Sequence, residues 1–508
     1  MNREPSDPLS RLFENRHLEA DIGNLAVRGG AVKIASQAAR FALRIGGVVI
    51  MARLVKPADV GVFLMATSVM LLLEVFDDFG LSRATVQRPR IDHRLISTLF
   101  WINAGVGLLM GMVTAATAPL LAWFYDDPRV LTLALAMSAP FVLTGLAFQH
   151  GALLERQLRM VEIEIIAFVA QVCGAAVMFA SAWWGAGYWS LALNLIVIRL
   201  VESSLVWWTV GWCPGWPQRG CGARAMLQFG GHLSGYHIVN YFHRNLDNIL
   251  IGRYWGPQDL GFYSKAYGLL KQPISQISTP ISSVIVPALS RLQDSPERYR
   301  RYFLKAAKAV VFLSMPMVVF TYVDAPEIIR ALLGERWMPA VPIFRALAPA
   351  AFVGTTQMFG GWFYQSLGRT DRMFKSGTAV LGVMIVAFSA SVPWGNVAVA
   401  KAYSVAYCLV AIPALAYATQ GTPVRLLDIL RAIRWPILVS LACGVATFAL
   451  RSAWRPSDHA FTLCAIDGAF YCLTYAAAWM SFPGGRNFIS SILTPFLRRV
   501  RESSRRQT

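Results

Sequence analysis

Lys33, Gln37, Arg40 and Arg44 follow one another at intervals of four, three and four residues. On a helix this spacing puts their side chains on one face, in a stripe about three turns long. About 200 residues later, His237, Asn240, Arg244 and Asn248 follow at intervals of three, four and four. Both stripes interrupt apolar sequence, where a charge at the centre of a membrane helix costs about 2.5–3.5 kcal/mol on insertion scales. They must therefore face a wet interior rather than lipid. Gathered cations suit an anion, and arginine suits phosphate because its planar fork donates two parallel hydrogen bonds. The alternative is that the arginines are helix-to-helix glue, each paired with a carboxylate such as Glu74, Asp77, Asp78, Glu202 or Asp247. Two features weigh towards a ligand. Arg40 and Arg44 lie one turn apart and repel each other unless an anion is near. Arg199, Lys265, Lys271, Arg345 and Lys401 add more positive charge within apolar segments.

A second polar group follows in "LGFYSKAYGLLKQPISQISTPISSVIVP". Lys265, Gln272 and Gln276 share one face of a helix there, with Lys271, Tyr263, Tyr267 and several serines close by. Hydroxyls, amides and aromatic rings are groups that hold a sugar, but small polar residues also let membrane helices pack closely. Pro273 and Pro280 predict a bend in this helix. Three acids admit a proton or sodium site: Asp77 and Asp78, beside Glu74, and Asp247, near Arg244. The position of Glu74, Asp77 and Asp78 at a helix end favours plain pairing with Arg83 and Arg88, and Asp247 with Arg244 also reads as a structural pair. His232, His237 and His243 point around their helix rather than along one face, so no metal site is expected. There is no Gly-Lys-Ser/Thr phosphate loop and no HExxH, and no cofactor or catalytic constellation is expected.

The elements that position these residues are membrane helices. The 508 residues are 56% hydrophobic and 15% charged, with mean hydropathy +0.47; a soluble chain carries about 25% charged residues. Apolar runs of about twenty residues recur from about 31–52 to about 460–482, giving about fourteen candidate spans of an all-α integral membrane protein. The net charge of +19 is topology rather than a nucleic-acid surface. With a cytoplasmic N-terminus, alternating loops place roughly thirty basic residues inside and about eight outside. Both termini are then cytoplasmic. The seven cysteines match no zinc or disulfide pattern. No cleavable signal peptide is expected, because the first apolar run starts late and carries Lys33, Arg40 and Arg44.

The chain also repeats itself. Arg53, Pro57, Asp59 and Gly61 return as Arg253, Pro257, Asp259 and Gly261, and Arg156, Arg159 and Met160 return as Arg369, Arg372 and Met373. Each half holds six spans, an even number, so the halves are parallel repeats about an axis along the membrane normal. The expected organisation is an amphipathic cytoplasmic arm at 1–28, an N-lobe at 29–211, a Pro/Gly/Trp-rich linker at 212–228, a C-lobe at 229–420, and two further helices with a basic tail at 421–508.

The strings "FDDFGLSRATVQR" (76–88), "STLFWIN" (97–103), "NYFHRNLDNILIGRYWGPQDLGFYSKAYGLLKQPISQISTPISSVIVPALSRLQDSPERYRR" (240–301) and "LLGERWMPAVPIFRALAP" (332–349) resemble the polysaccharide transporter family of lipid-linked oligosaccharide flippases. That family shares a superfamily with multidrug-and-toxin antiporters and the lipid II flippase. The resemblance implies two six-helix lobes forming a V, with spans 1, 2, 7 and 8 lining a cationic cavity. It also implies movement of a polyprenyl-pyrophosphate-linked repeat unit across the bacterial inner membrane, with membrane lipids and a polymerase or export complex as further partners. Alternatives are a drug/cation antiporter, which would want an acidic cavity; a glycan polymerase or ligase, which would want a large outward loop; and a scaffold for a synthesis complex.

Overall fold

The computed structural model describes residues 22–488 except 79, 89–90, 219–222, 455–458, 482–484 and 487, with backbone only at 22–35, 38, 45, 75, 223–240 and 243. The arm before residue 22 and the basic tail after 488 lie outside the described residues. Every regular element among them is helical. Among the described residues nine stretches are long and apolar enough to cross a membrane, and the protein is an all-α membrane protein. Residue contacts divide the chain into two units, Met1–Gly261 and Phe262–Thr508.

The first unit opens with α1 (Ile22–Leu54), the helix of the first basic stripe. Pro57 ends the connection and starts α2 (Pro57–Leu73): Lys56 before it is extended, as proline requires of its predecessor, and Pro57 sits where a missing N–H costs nothing. The apolar run continues beyond Leu73, but the helix does not. It ends in a tight turn at Glu74–Phe76 and restarts as the short helix α3 (Leu81–Gln87). Asp78 enforces the restart by accepting the Ser82 backbone N–H at 3.1 Å and its hydroxyl at 2.8 Å. Five helices follow. In α4 (His93–Tyr125) the Asp92 carboxylate caps Leu95. The next predicted span is two helices, α5 (Arg129–Ala136) and α6 (Ala139–Arg156), broken at Met137–Ser138. Then come α7 (Met160–Trp183) and α8 (Tyr188–Val210).

The linker is docked where it is described. Gly211, at φ 64°, turns the chain out of α8, and Trp212 is buried with its indole N–H on His93 Nδ1 at 3.0 Å. Gly215 N–H reaches Ser97 Oγ at 2.9 Å, Trp101 reaches Gly215 O at 2.9 Å, and Gln218 N–H reaches Thr98 Oγ1 at 3.1 Å. Residues 211–218 are thus clasped to the first turns of α4.

α9 (Ala223–Ser290) carries both of the next two predicted spans. Its helical φ/ψ fail at Gly256 (φ 81°), a conformation that favours glycine, and not at Pro273 or Pro280 where the sequence predicts a bend. Beside that break the duplicated turn meets its own copy. A methyl group at Gly61 would overlap the carbonyl of Pro257, and one at Gly261 would overlap the carbonyl of Pro57. The start of α2 therefore touches α9 backbone to backbone, which only glycine permits.

The second unit contains α10 (Pro296–Val323), α11 (Ala325–Leu332), α12 (Ala340–Ser366), α13 (Thr370–Ser391), α14 (Asn396–Thr419), α15 (Leu426–Ala453) and α16 (Ala460–Ser481). Its core is aromatic: Phe303 stacks on Phe363 at 4.2 Å, and Tyr299 bonds Ser366 at 2.7 Å. The two helices beyond the repeat are fixed to α10 and α11. Tyr475 donates to Phe312 O at 3.0 Å, and Arg451 reaches Asp324 at 2.8 Å and Glu327 at 2.6 Å.

The first arginine of this repeated motif has one job in both halves. Arg156 donates to the carbonyls of Thr85 and Arg88 at the end of α3. Its counterpart Arg369 donates to Gln420 and Gly421 beyond the end of α14, and Arg372 donates to Gln420. A guanidinium supplies the donors that carbonyls at a helix C-terminus lack, at the negative end of its dipole.

Candidate substrate-binding stripe

On α1 the described part of the stripe is Gln37, Arg40 and Arg44; the side chain of Lys33 lies outside the described residues. Gln37 and Arg44 are exposed and Arg40 is partly buried. Arg40 is also paired: its Nη2 lies 2.5 Å from Oε2 of Glu164, whose side chain is 10% exposed. Glu164 stands on α7 and is absent from the partners that the sequence suggests. It sits in "MVEIEIIAF", one turn into an apolar helix, and that misplaced acid was the available signal. The anion that Arg40 and Arg44 need between them is thus partly supplied by the protein.

On α9 the side chains of His237 and Asn240 lie outside the described residues, so the stripe is described from Arg244 onward. Arg244 is exposed and Asn248 partly buried. Asp247 is buried, with Oδ1 accepting the Asn248 N–H at 2.8 Å. Among the described residues Arg44 and Arg244, which the repeat makes equivalent, have no hydrogen-bond or ion-pair partner. Two guanidinium groups without counter-charges can take an anion at no cost in existing pairs.

In the second unit Lys265 and Gln272 are partly buried and Lys271 is exposed. Lys271 donates to Tyr267 OH at 2.8 Å and lies 4.7 Å above that ring. Tyr263 and Tyr267, noted in the sequence, belong to a row of aromatics whose other members, Tyr403 and Tyr407, the sequence reading missed. Tyr263 stacks on Tyr267, Tyr267 meets Tyr403 edge-on at 6.0 Å, and Tyr403 stacks on Tyr407 at 5.3 Å. Tyr403 and Tyr407 stand four apart on α14, a spacing that aligns them on one face.

The acids near the end of α2 do not behave as one group. Asp78 caps α3 and accepts from Asn103 at 3.2 Å. Asp77 is buried, and its Oδ1 has no hydrogen-bond partner. The basic group that attracts Glu74 and Asp77 is Arg199 on α8, which also pairs with Glu202 at 3.2 Å. Arg83, one of the two partners suggested by the sequence, acts on Asp78.

A sequence profile described as "Polysaccharide biosynthesis protein" matches residues 50–342, more than half of the chain. The chain belongs to that family. It is 25% identical over 332 residues to the lipopolysaccharide biosynthesis protein WzxC of Escherichia coli (strain K12), covering 64% of this chain and 67% of that one. It is 25% identical over 377 residues to the teichuronic acid biosynthesis protein TuaB of Bacillus subtilis (strain 168), covering 73% and 77%. Its fold is similar to that of the lipid II flippase MurJ in an inward closed conformation. The TM-score there is 0.71 over 93% of this chain and 100% of the other, at 14% identity. This last likeness is one of fold.

Proposed function

We propose that this family member is a flippase. It carries polyprenyl-pyrophosphate-linked oligosaccharide repeat units from the cytoplasmic to the periplasmic leaflet of a bacterial inner membrane, by alternating access of its two repeats. The observation that carries this reading is the pair Arg44 and Arg244: exposed, without partners among the described residues, and equivalent in the repeat. Guanidinium groups so placed in a membrane helix bind a pyrophosphate through charge-assisted, bidentate hydrogen bonds. Lys33, Gln37, His237 and Asn240 extend the two stripes in sequence, and Lys265, Lys271 and Gln272 assist with the glycan beside the tyrosines. Arg40 contributes what charge its pairing with Glu164 leaves. Asp77, Asp78 and Asp247 are the candidates for proton or sodium coupling. The orientation is that of the positive-inside bias, with both termini cytoplasmic.

The names of the relatives support a place in making envelope polysaccharide. A cationic drug would meet the wrong charge on these stripes. The test is Arg44→Gln with Arg244→Gln at unchanged protein level. Polymer export should fall at least tenfold, and lipid-linked repeat units should accumulate facing the cytoplasm. Normal export by this double variant would remove the site assignment.

A further inference from the structure

α12 and α14 each carry a single charged residue, and in both it is a cation at the sixth position: Arg345 and Lys401. Neither helix contains an Asp or Glu. One membrane helix, α13, separates them in the chain, so α12 and α14 begin on the same side of the membrane. Two contacts set their register. The Ser404 hydroxyl donates to Ala346 O at 2.5 Å and accepts the Ala350 N–H at 3.2 Å. Arg345 and Lys401 therefore stand at one level, about a turn before that contact on each helix. Cys408, two turns beyond Lys401 on the same face, lies 3.9 Å from the carbonyl of Pro349, one turn beyond Arg345. The faces that bear the two cations thus adjoin. Both cations are exposed, and among the described residues neither has a hydrogen-bond or ion-pair partner. Glu335, the acid that precedes α12, is taken by Arg330 at 2.7 Å. In the positive-inside orientation both helices begin at the periplasmic face, where basic residues are few, so topology does not account for this pair.

We propose that Arg345 and Lys401 together bind the phosphate of an anionic phospholipid in the leaflet where α12 and α14 begin. Each cation sits about 7.5 Å along its helix. Helical side chains lean towards the N-terminus, which here is towards the lipid headgroups. Trp394, 75% exposed just before α14, is the kind of ring that lies at that boundary. The guanidinium grips two phosphate oxygens while the ammonium acts on a third as a point charge. The positive ends of two helix dipoles add to the same field. Beyond Lys401 the exposed stripe of α14 is aliphatic, with Val405, Leu409 and Ile412, which suits acyl chains and not a solvated sugar. Basic groups between membrane helices hold lipid headgroups in this way. The assignment does not rest on the flippase reading.

The test is thermal unfolding of the purified full-length chain in detergent at equal ionic strength. Phosphatidylglycerol, phosphatidylcholine, undecaprenyl pyrophosphate or inorganic phosphate is added. Phosphatidylglycerol is expected to raise the melting temperature by a few degrees more than phosphatidylcholine, because the site exists only in the folded form. Arg345→Gln with Lys401→Gln should lose at least half of that difference, each protein being compared with its own melting in phosphatidylcholine. Arg298→Gln with Arg301→Gln, two exposed cations at the start of α10, should lose less. Equal shifts from the two phospholipids, or equal losses in the two double variants, overturn the proposal. So does a shift of the same size from inorganic phosphate alone. A double variant at Arg345 and Lys401 that loses only the undecaprenyl pyrophosphate shift also overturns it, by assigning the pair to the lipid-linked substrate.

Discussion

Replacing Arg40 by Gln separates the two roles open to this residue. Its partner Glu164 has a side chain only 10% exposed and 2.5 Å away, while Arg40 itself is 24% exposed. Removing one member of a buried pair costs about 3–5 kcal/mol, because the other charge stays behind. Water reaches part of Arg40 and screens the pair, which lowers the cost below that range, and we expect Arg40→Gln to cost about 2–3 kcal/mol. Glu164→Gln should cost less, about 1 kcal/mol, since the arginine left behind can turn to solvent. The double variant leaves no unpaired charge and should recover to within about 1 kcal/mol of the parent, a coupling of about 2 kcal/mol. The assay is a double-mutant cycle of thermal unfolding in detergent, run beside polymer export in cells. If pairing is the main duty of Arg40, export falls in the single variant and returns in the double. If the double variant is no more stable than Arg40→Gln alone, the pairing argument is refuted. If stability returns and export does not, Arg40 also binds the substrate.

Gly61→Ala or Gly261→Ala sets a methyl against a backbone carbonyl that cannot rotate away. Each should cost at least about 1–3 kcal/mol in this packing, visible as a lower melting temperature; unchanged melting of both variants would contradict the backbone contact. Arg451→Met leaves Asp324 and Glu327, 0% and 2% exposed, without their shared cation. A loss of about 3–5 kcal/mol is expected, together with faster proteolysis between α15 and α16, and equal protease resistance would show that the fork is not what holds α15.

The helices were readable in the sequence because apolar runs of membrane length have few other uses, and the repeat supplied the register that makes Arg44 and Arg244 equivalent. The partners were not readable. Glu164 satisfies Arg40 because α1 packs on α7, which no spacing along either helix reveals. For the same reason Arg199, rather than Arg83 and Arg88, faces Glu74 and Asp77. The breaks within helices were also hidden. The apolar pattern runs unbroken through Met137–Ser138, and the restart at Leu81 depends on where the Asp78 carboxylate finds a backbone N–H. Prolines misled in α9, where Pro273 and Pro280 stay within helical φ/ψ and Gly256 does not. The linker is loop-like in composition, yet its described part is clasped, because its donors and acceptors meet Ser97, Thr98, Trp101 and His93 on a helix more than a hundred residues earlier.

The contact of Gly61 with the Pro257 carbonyl, and of Gly261 with the Pro57 carbonyl, has the form of a homodimer interface. In a symmetric dimer, residue i of one subunit meets j of the other while j meets i. Here one chain meets that condition with its own two copies. The simplest ancestor is a half-length protein that paired with itself through this glycine and proline before its gene was duplicated and joined. The joined chain inherits a constraint that the dimer never had. A dimer changes both sides of the contact with each mutation, whereas this protein must change them one at a time, with every intermediate lopsided. That asymmetry gives a physical reason for Pro57, Gly61, Pro257 and Gly261 to have stayed alike while the two stripes beside them diverged.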